Sequence, residues 1–217
     1  MATFAELRSM GLKPSDLELN CLKWPKRLAY TRQTIEFVPL PEISLPQVIA
    51  SLSRFKHFNN GANKWALCQT CLSDNGERFA FFDAQRFFGF LCDLVNPKCV
   101  PVRIWTKLDS AEVNGDTAGR HMLIGQRRWK AELRDGESLQ IITEAYEAPR
   151  GIFNRIGMFL AGRKSQFGIW KAYLLNLLKQ FGVRNESQTE PTEYIRKVHA
   201  KDCPWTPVMP YPGETVP

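Results

Sequence analysis

The side chains best suited to chemistry lie in one short run, residues 123–133, LIGQRRWKAEL. Gly125 permits close backbone approach at the end of an apolar strand. Arg127 and Arg128 then offer two guanidinium forks that match phosphate oxygens, joined by backbone amides if a helix starts there. Two conformations are open to residues 127–134. They form either a short helix between two strands, which would build the phosphate site, or the first arm of a hairpin turning at Asp135 and Gly136, which would leave the arginines to solvent. Other chemical patterns are weaker. Cys68 and Cys71 make a C-x-x-C, but Cys92 and Cys99 lack the spacing of a second zinc-binding pair, so buried, reduced thiols are expected. His57, His121 and His199 lie outside helical reach of one another, and neither a G-x-S-x-G elbow nor a Walker loop occurs. No catalytic or metal site is therefore assigned. A hydrolase or nuclease would have to hold its metal with carboxylates such as Asp116, Glu132 or Glu144, whose spacing shows no ligand pattern.

Charge supplies the second signal. The 217 residues carry 29 basic and 22 acidic side chains, and the whole excess of +7 sits in residues 148–185, which hold seven basic residues and no acidic one. Arg150, Arg155, Arg163, Lys164, Lys171 and Lys179 form the candidate surface for DNA or an acidic protein partner. A solvated basic face without a partner is the alternative. With 44% hydrophobic and 24% charged residues the chain has the composition of a folded globule, and its longest apolar runs are too short to span a bilayer. The first ten residues carry Glu6 and Arg8 instead of a signal-peptide pattern, so a cytoplasmic location with reduced cysteines is expected.

These residues need elements to position them. Capping boxes at Thr3/Glu6, Ser15/Glu18 and Ser44/Gln47 predict helices over 4–10, 16–22 and 45–55, and apolar patterns predict two more over 64–72 and 77–93. Strands are expected over 100–108, 122–125 and 139–146, with a polar loop through Gly115. Phe167, Trp170, Tyr173, Leu174, Leu177, Leu178 and Phe181 recur at helical spacing and stop at Gly182, with Lys164, Lys171 and Lys179 on the opposite face. The tail after Lys201 has five prolines and is expected to lie extended on the body or a partner through Trp205 and Tyr211. The expected fold class is thus α+β: a helical N-terminal half (1–98), a small central mixed or antiparallel sheet (99–148) containing the arginine box, basic amphipathic helices (149–200) and a Pro-rich tail (201–217), in one compact unit.

The run from Gly125 to Ala131 resembles the G-x-R-R-x-x-A box of the ParB/sulfiredoxin superfamily. The resemblance covers about 65 residues and implies a bound nucleoside triphosphate at Gly125, Arg127 and Arg128. Residues 49–58, followed by WALCQTCL and AFFDA, are similar to small phage-type HD phosphohydrolases, but Thr70 and Phe82 stand where metal-binding histidines belong and only Asp83 is kept. That similarity implies a non-catalytic interaction scaffold. Both likenesses imply a plasmid or phage protein, so the expected function is a regulatory binder that interferes with conjugative DNA transfer or segregation, acting by contact rather than by catalysis.

Overall fold

The computed structural model describes residues 2–3, 24–60, 67–72, 78–83, 100–107, 110–118, 121–157, 163–183 and 190–205. Its strands are β1 (Ala2–Thr3), β2 (Arg27–Phe37), β3 (Leu67–Leu72), β4 (Arg78–Asp83), β5 (Val100–Lys107), β6 (Glu112–Thr117), β7 (Leu123–Arg134), β8 (Ser138–Pro149) and β9 (Thr192–His199). The helices are α1 (Leu45–Arg54), α2 (Gly151–Gly157) and α3 (Arg163–Phe181), with a 3-10 turn at Ala200–Asp202 after β9. All strands join one sheet in the order β1-β3-β4-β5-β6-β7-β8-β2-β9, antiparallel except for β1 on β3. From β3 to β8 the chain therefore meanders between neighbours. β2 then returns from the N-terminal side to pair with β8, and β9 closes the row against β2.

This architecture corrects the helical N-terminal half. The apolar runs LCQTCL and RFAFFD, expected within helices, are β3 and β4 and pair with each other from Leu67↔Asp83 to Leu72↔Arg78. Six largely apolar residues cannot distinguish a buried strand from a helical segment by period alone, and cross-strand pairing decides for the strand. The polar loop expected through Gly115 is β6, the region expected to be helical up to residue 200 contains β9, and β2 matches no expected element. The helices expected over 4–10 and 16–22, and most of 77–93, lie outside the described residues.

Other local signals hold. In α1, Gln47 Oε1 accepts from the Ser44 amide (2.7 Å) and hydroxyl (2.9 Å), and Pro46 occupies the first turn, where its missing donor is not needed. The helix ends at Phe55, a bulky residue at φ 48°. That left-handed conformation costs roughly 1–2 kcal/mol. Burying the ring contributes about 1.5–3 kcal/mol, and Phe55, 3% exposed, touches Phe58, Phe82, Trp129 and Tyr173, so packing wins. The β7–β8 turn has Asp135 and Gly136 at φ 51° and 74°, the left-handed pair that a right-twisted hairpin requires.

Both α1 and α3 pack on one face of the sheet. There Ile35, Val102, Val113, Trp129 and Ile141 from the strands meet Val48, Leu52, Trp170, Tyr173, Leu174 and Leu177 from the helices. A smaller core of Leu28, Tyr30, Tyr146, Ala148 and Trp205 forms on the outer face. Trp205 seals it edge-on to Tyr146 at 4.7 Å, so the start of the Pro-rich tail lies on the body as expected; Tyr211 lies outside the described residues.

Candidate functional site

The β7–β8 hairpin decides what the arginine box can do. Residues 127–134 are strand, paired from Arg127↔Ala145 to Arg134↔Ser138, so no helix N-terminus follows Gly125. Alternation then separates the two arginines, because successive side chains of a strand leave opposite faces. Arg128 goes to the outer face, where its guanidinium stacks on Trp205 with 4.1 Å to the ring centroid. Arg127 goes inward, is 8% exposed, and lies over Trp170 of α3 at 4.5 Å. Of the nucleotide site expected at Gly125, Arg127 and Arg128, the two arginines leave opposite faces of β7 and do not converge on one point. Gly125 serves close packing instead, for a Cβ there would stand 2.1 Å from the Tyr146 carbonyl oxygen. Its own amide donates to Thr117 Oγ1 (3.0 Å), and that hydroxyl donates to the Gly125 carbonyl (3.2 Å).

Around Arg127 the fold collects a buried polar group that few of its members announced. Arg127 donates to Thr143 Oγ1 at 3.0 Å and pairs with Glu147 at 3.4 Å, each two residues along β8 from the facing Ala145 and so on the same face. Gln166, in the first turn of α3, donates to the other Glu147 oxygen. Across β8, Gln33 of β2 is 2% exposed and donates to the Phe167 carbonyl (3.1 Å) and to Glu193 of β9 (3.0 Å). Thr31, on the same face of β2, is 6% exposed, and its hydroxyl has no hydrogen-bond partner among the described residues. Between these side chains lies a shallow, half-open cleft, too narrow as it stands for a water-sized sphere, lined by Thr31, Arg32, Gln33, Arg127, Gln166, Phe167 and Trp170.

The electrostatics follow from burial. Loss of water pulls the Arg127 guanidinium below its ordinary value, while the Glu147 carboxylate opposes that shift. His121, buried at the start of β7, accepts from the Leu123 amide through Nδ1 (3.0 Å). Burial lowers its pKa to about 4, the Leu123 carbonyl 3.1 Å from Nδ1 works against that shift by favouring the protonated ring, and Arg127 adds to the lowering. Deeper in the core, burial raises the Cys68 thiol and the Tyr173 phenol well above their ordinary values, so neither is poised for nucleophilic or redox work.

The remaining expected site residues lie along the elements that follow β7 and β8 and within the sheet. Arg150 follows β8, Arg155 is in α2, and Arg163 and Lys164 open α3; all four are exposed, as is Lys179 near its end. Lys171 pairs with Glu190. Asp116 is fully buried in β6, Glu132 is held by Lys130 and Arg134, and Glu144 accepts from the Tyr30 hydroxyl at 2.7 Å, so the three do not form a metal site. No group of acids, histidines and cysteines suited to a metal occurs among the described residues. Nor does any described helix have the length and apolarity to cross a membrane.

The cleft residues missed in the sequence were Thr31, Gln33, Thr143, Glu147, Gln166 and, as a stacking wall, Trp170. One signal was present: a hairpin turning at Asp135 and Gly136 sets Arg127 opposite Ala145 and so between Thr143 and Glu147. For β2 the cue was the alternation of Ala29, Thr31, Gln33, Ile35 and Phe37 with Leu28 and Tyr30.

A meandering antiparallel sheet packed against a long helix is also the fold of a solved structure with which this chain superposes. The Zhui aromatase/cyclase from a Streptomyces species superposes with a TM-score of 0.50 at 10% identity, over 74% of this chain and 98% of that one. A START superfamily protein from Mycobacterium smegmatis gives 0.47 at 11% identity, over 70% and 98%. Norcoclaurine synthase from Thalictrum flavum, solved with dopamine and hydroxybenzaldehyde, gives 0.44 at 9%, over 71% and 89%. No family model and no curated protein matches the sequence. The expectation of a plasmid or phage regulator that meets DNA or an acidic protein during conjugation or segregation is overturned here. It rested on the basic excess of residues 148–185, a phosphate box and a helical scaffold, and the chain has instead the fold shared with the aromatase/cyclase.

Proposed function

We propose that the protein binds a small, flat, uncharged organic molecule in the cleft between α3 and strands β2 and β7. The observation that carries this is the unpartnered Thr31 hydroxyl beside a fully engaged Arg127–Glu147 pair. A buried hydroxyl without a partner costs on the order of 1–3 kcal/mol, a cost that a ligand oxygen would remove. The Arg127–Glu147 pair is internally neutral, so at the Thr31 hydroxyl the cleft offers a neutral polar contact suited to a carbonyl or hydroxyl oxygen. Phe167 and Trp170 provide aromatic walls suited to a ring. As it stands the crevice has no room for a water-sized sphere, so a ligand ring enters only with displacement of the Gln166 and Phe167 side chains that line it. The aromatase/cyclase that shares the fold supports an organic ring compound as the ligand class.

The test is titration with 1-naphthol and 2-acetylnaphthalene, followed by tryptophan fluorescence and by calorimetry. Saturable binding is expected, weakened about fivefold by Thr31→Val, the worth of one hydrogen bond of about 1 kcal/mol. Phe167→Ala should weaken it further by removing a ring wall. Absence of saturable binding to either compound, or equal affinity in Thr31→Val and Phe167→Ala, would refute the assignment.

A further inference from the structure

The far edge of the sheet has a second use. Among the described residues β9 ends the row of strands and pairs along β2 only, from Arg27↔His199 to Thr34↔Thr192. All of its eight residues except Val198 are exposed, including Tyr194 (52%) and Ile195 (39%), two of the large apolar side chains most open to water. An edge strand of this kind presents unpaired backbone amides and carbonyls, a template for another strand.

The sequence of β9 specifies which strand fits. TEYIRKVH is complementary to itself about Ile195: Glu193 stands two residues before it and Lys197 two after, with Tyr194 and Arg196 immediately on either side. We propose that two copies of this chain pair antiparallel along β9 around a two-fold axis at Ile195. In that register Glu193 lies opposite Lys197 of the other copy, twice by symmetry. Tyr194 lies opposite Arg196, also twice, and Ile195 meets its counterpart on the axis. Directly opposed pairs of opposite charge, and an arginine against an aromatic ring, are the contacts that stabilise antiparallel ladders. Slipping the register by one sets Glu193 against Val198 and Tyr194 against Lys197, which loses both ion pairs. The edge is also fixed in place before pairing. Glu193 is held by Gln33, and Arg196 lies over the Tyr30 ring at 5.1 Å. Adjacent Arg196 and Lys197 oppose pairing with strands of arbitrary sequence, as edge cations do, so the surface favours its own copy. A two-fold that joins edges in this way is the isologous arrangement of a closed dimer. Nothing in this proposal depends on ligand binding in the cleft.

Sedimentation velocity over a range of protein concentrations reads the outcome. Wild-type protein is expected to pass from 24.9 kDa to twice that mass as concentration rises. Glu193→Lys and Lys197→Glu each place like charges opposite one another twice, so each alone should weaken the dimer at least tenfold. An equimolar mixture of the two variants places lysine against glutamate at both contacts and should restore the dimer, as should the double exchange in one chain. Ile195→Lys, which sets two cations on the axis, should give a monomer. A wild type that stays monomeric throughout overturns the proposal, and so does a dimer unaffected by Ile195→Lys. If both charge variants keep their fold by circular dichroism, failure of their mixture to dimerise better than either alone overturns it as well.

Discussion

Replacing the buried Arg127–Glu147 pair in halves and as a whole tests the logic of the cleft most directly. The two charges are 3.4 Å apart, with the residues 8% and 7% exposed. At an effective dielectric near 20, their attraction is about 5 kcal/mol. Bringing each charge out of water costs several kcal/mol, so the pair as a unit contributes little net stability, while either charge left alone is costly. Arg127→Met or Glu147→Leu should therefore destabilise by roughly 3–5 kcal/mol each. Arg127→Met/Glu147→Leu together should cost only about 2 kcal/mol, mainly from the hydrogen bonds lost by Thr143 and Gln166. Urea midpoints and slopes for the wild type and three variants provide the measurement. Additive losses, with the double variant near the sum of the singles, would show that the charges are not coupled and that the hydrogen-bonded description of the cleft is mistaken.

Two further outcomes rest on local geometry. Gly125→Ala drives a methyl group into the Tyr146 carbonyl and Glu147 Cα, both backbone, and should cost at least about 3 kcal/mol. Gly136→Ala, at φ 74° in open space, should cost only the roughly 1–2 kcal/mol of a left-handed residue, so equal thermal shifts in the two variants would contradict the packing. His121 is neutral in the fold with a pKa lowered to about 4, whereas the unfolded chain takes up that proton near pH 6.5. The unfolded state thus binds more protons as pH falls from about 6.5 to 4, and stability should drop by about 3 kcal/mol over that window, levelling off below it. His121→Gln should flatten the urea midpoint against pH; an unchanged slope would assign the loss to other groups.

Short-range chemistry was legible in the residues themselves. Ser44 and Gln47 start α1, the stripe from Phe167 to Phe181 makes α3 and ends it at Gly182, and Asp135 with Gly136 turns the β7–β8 hairpin. Each depends on residues a few positions apart, whose steric and hydrogen-bonding preferences act wherever the chain goes. The outcome at LCQTCL and RFAFFD did not depend on such preferences, since both runs suit either a helix or a strand until a neighbour is supplied.

The cleft belongs to the second category throughout. Whether Arg127 meets phosphate, water or Trp170 depends on which face of β7 is covered by α3, and its partners Thr143 and Glu147 come from the opposite arm of a hairpin. Gln33 reaches the Phe167 carbonyl across 134 residues of sequence. The residues alone determined the Ser44 cap, the helix from Arg163 to Phe181 and the position of the charge excess, and offered the Asp135–Gly136 hairpin as one of two readings. The pairing of strands distant in sequence, and with it which polar side chains were carried inward, was decided by the packing of one sheet face against two helices, because that burial is a property of the assembled surface and not of any local segment.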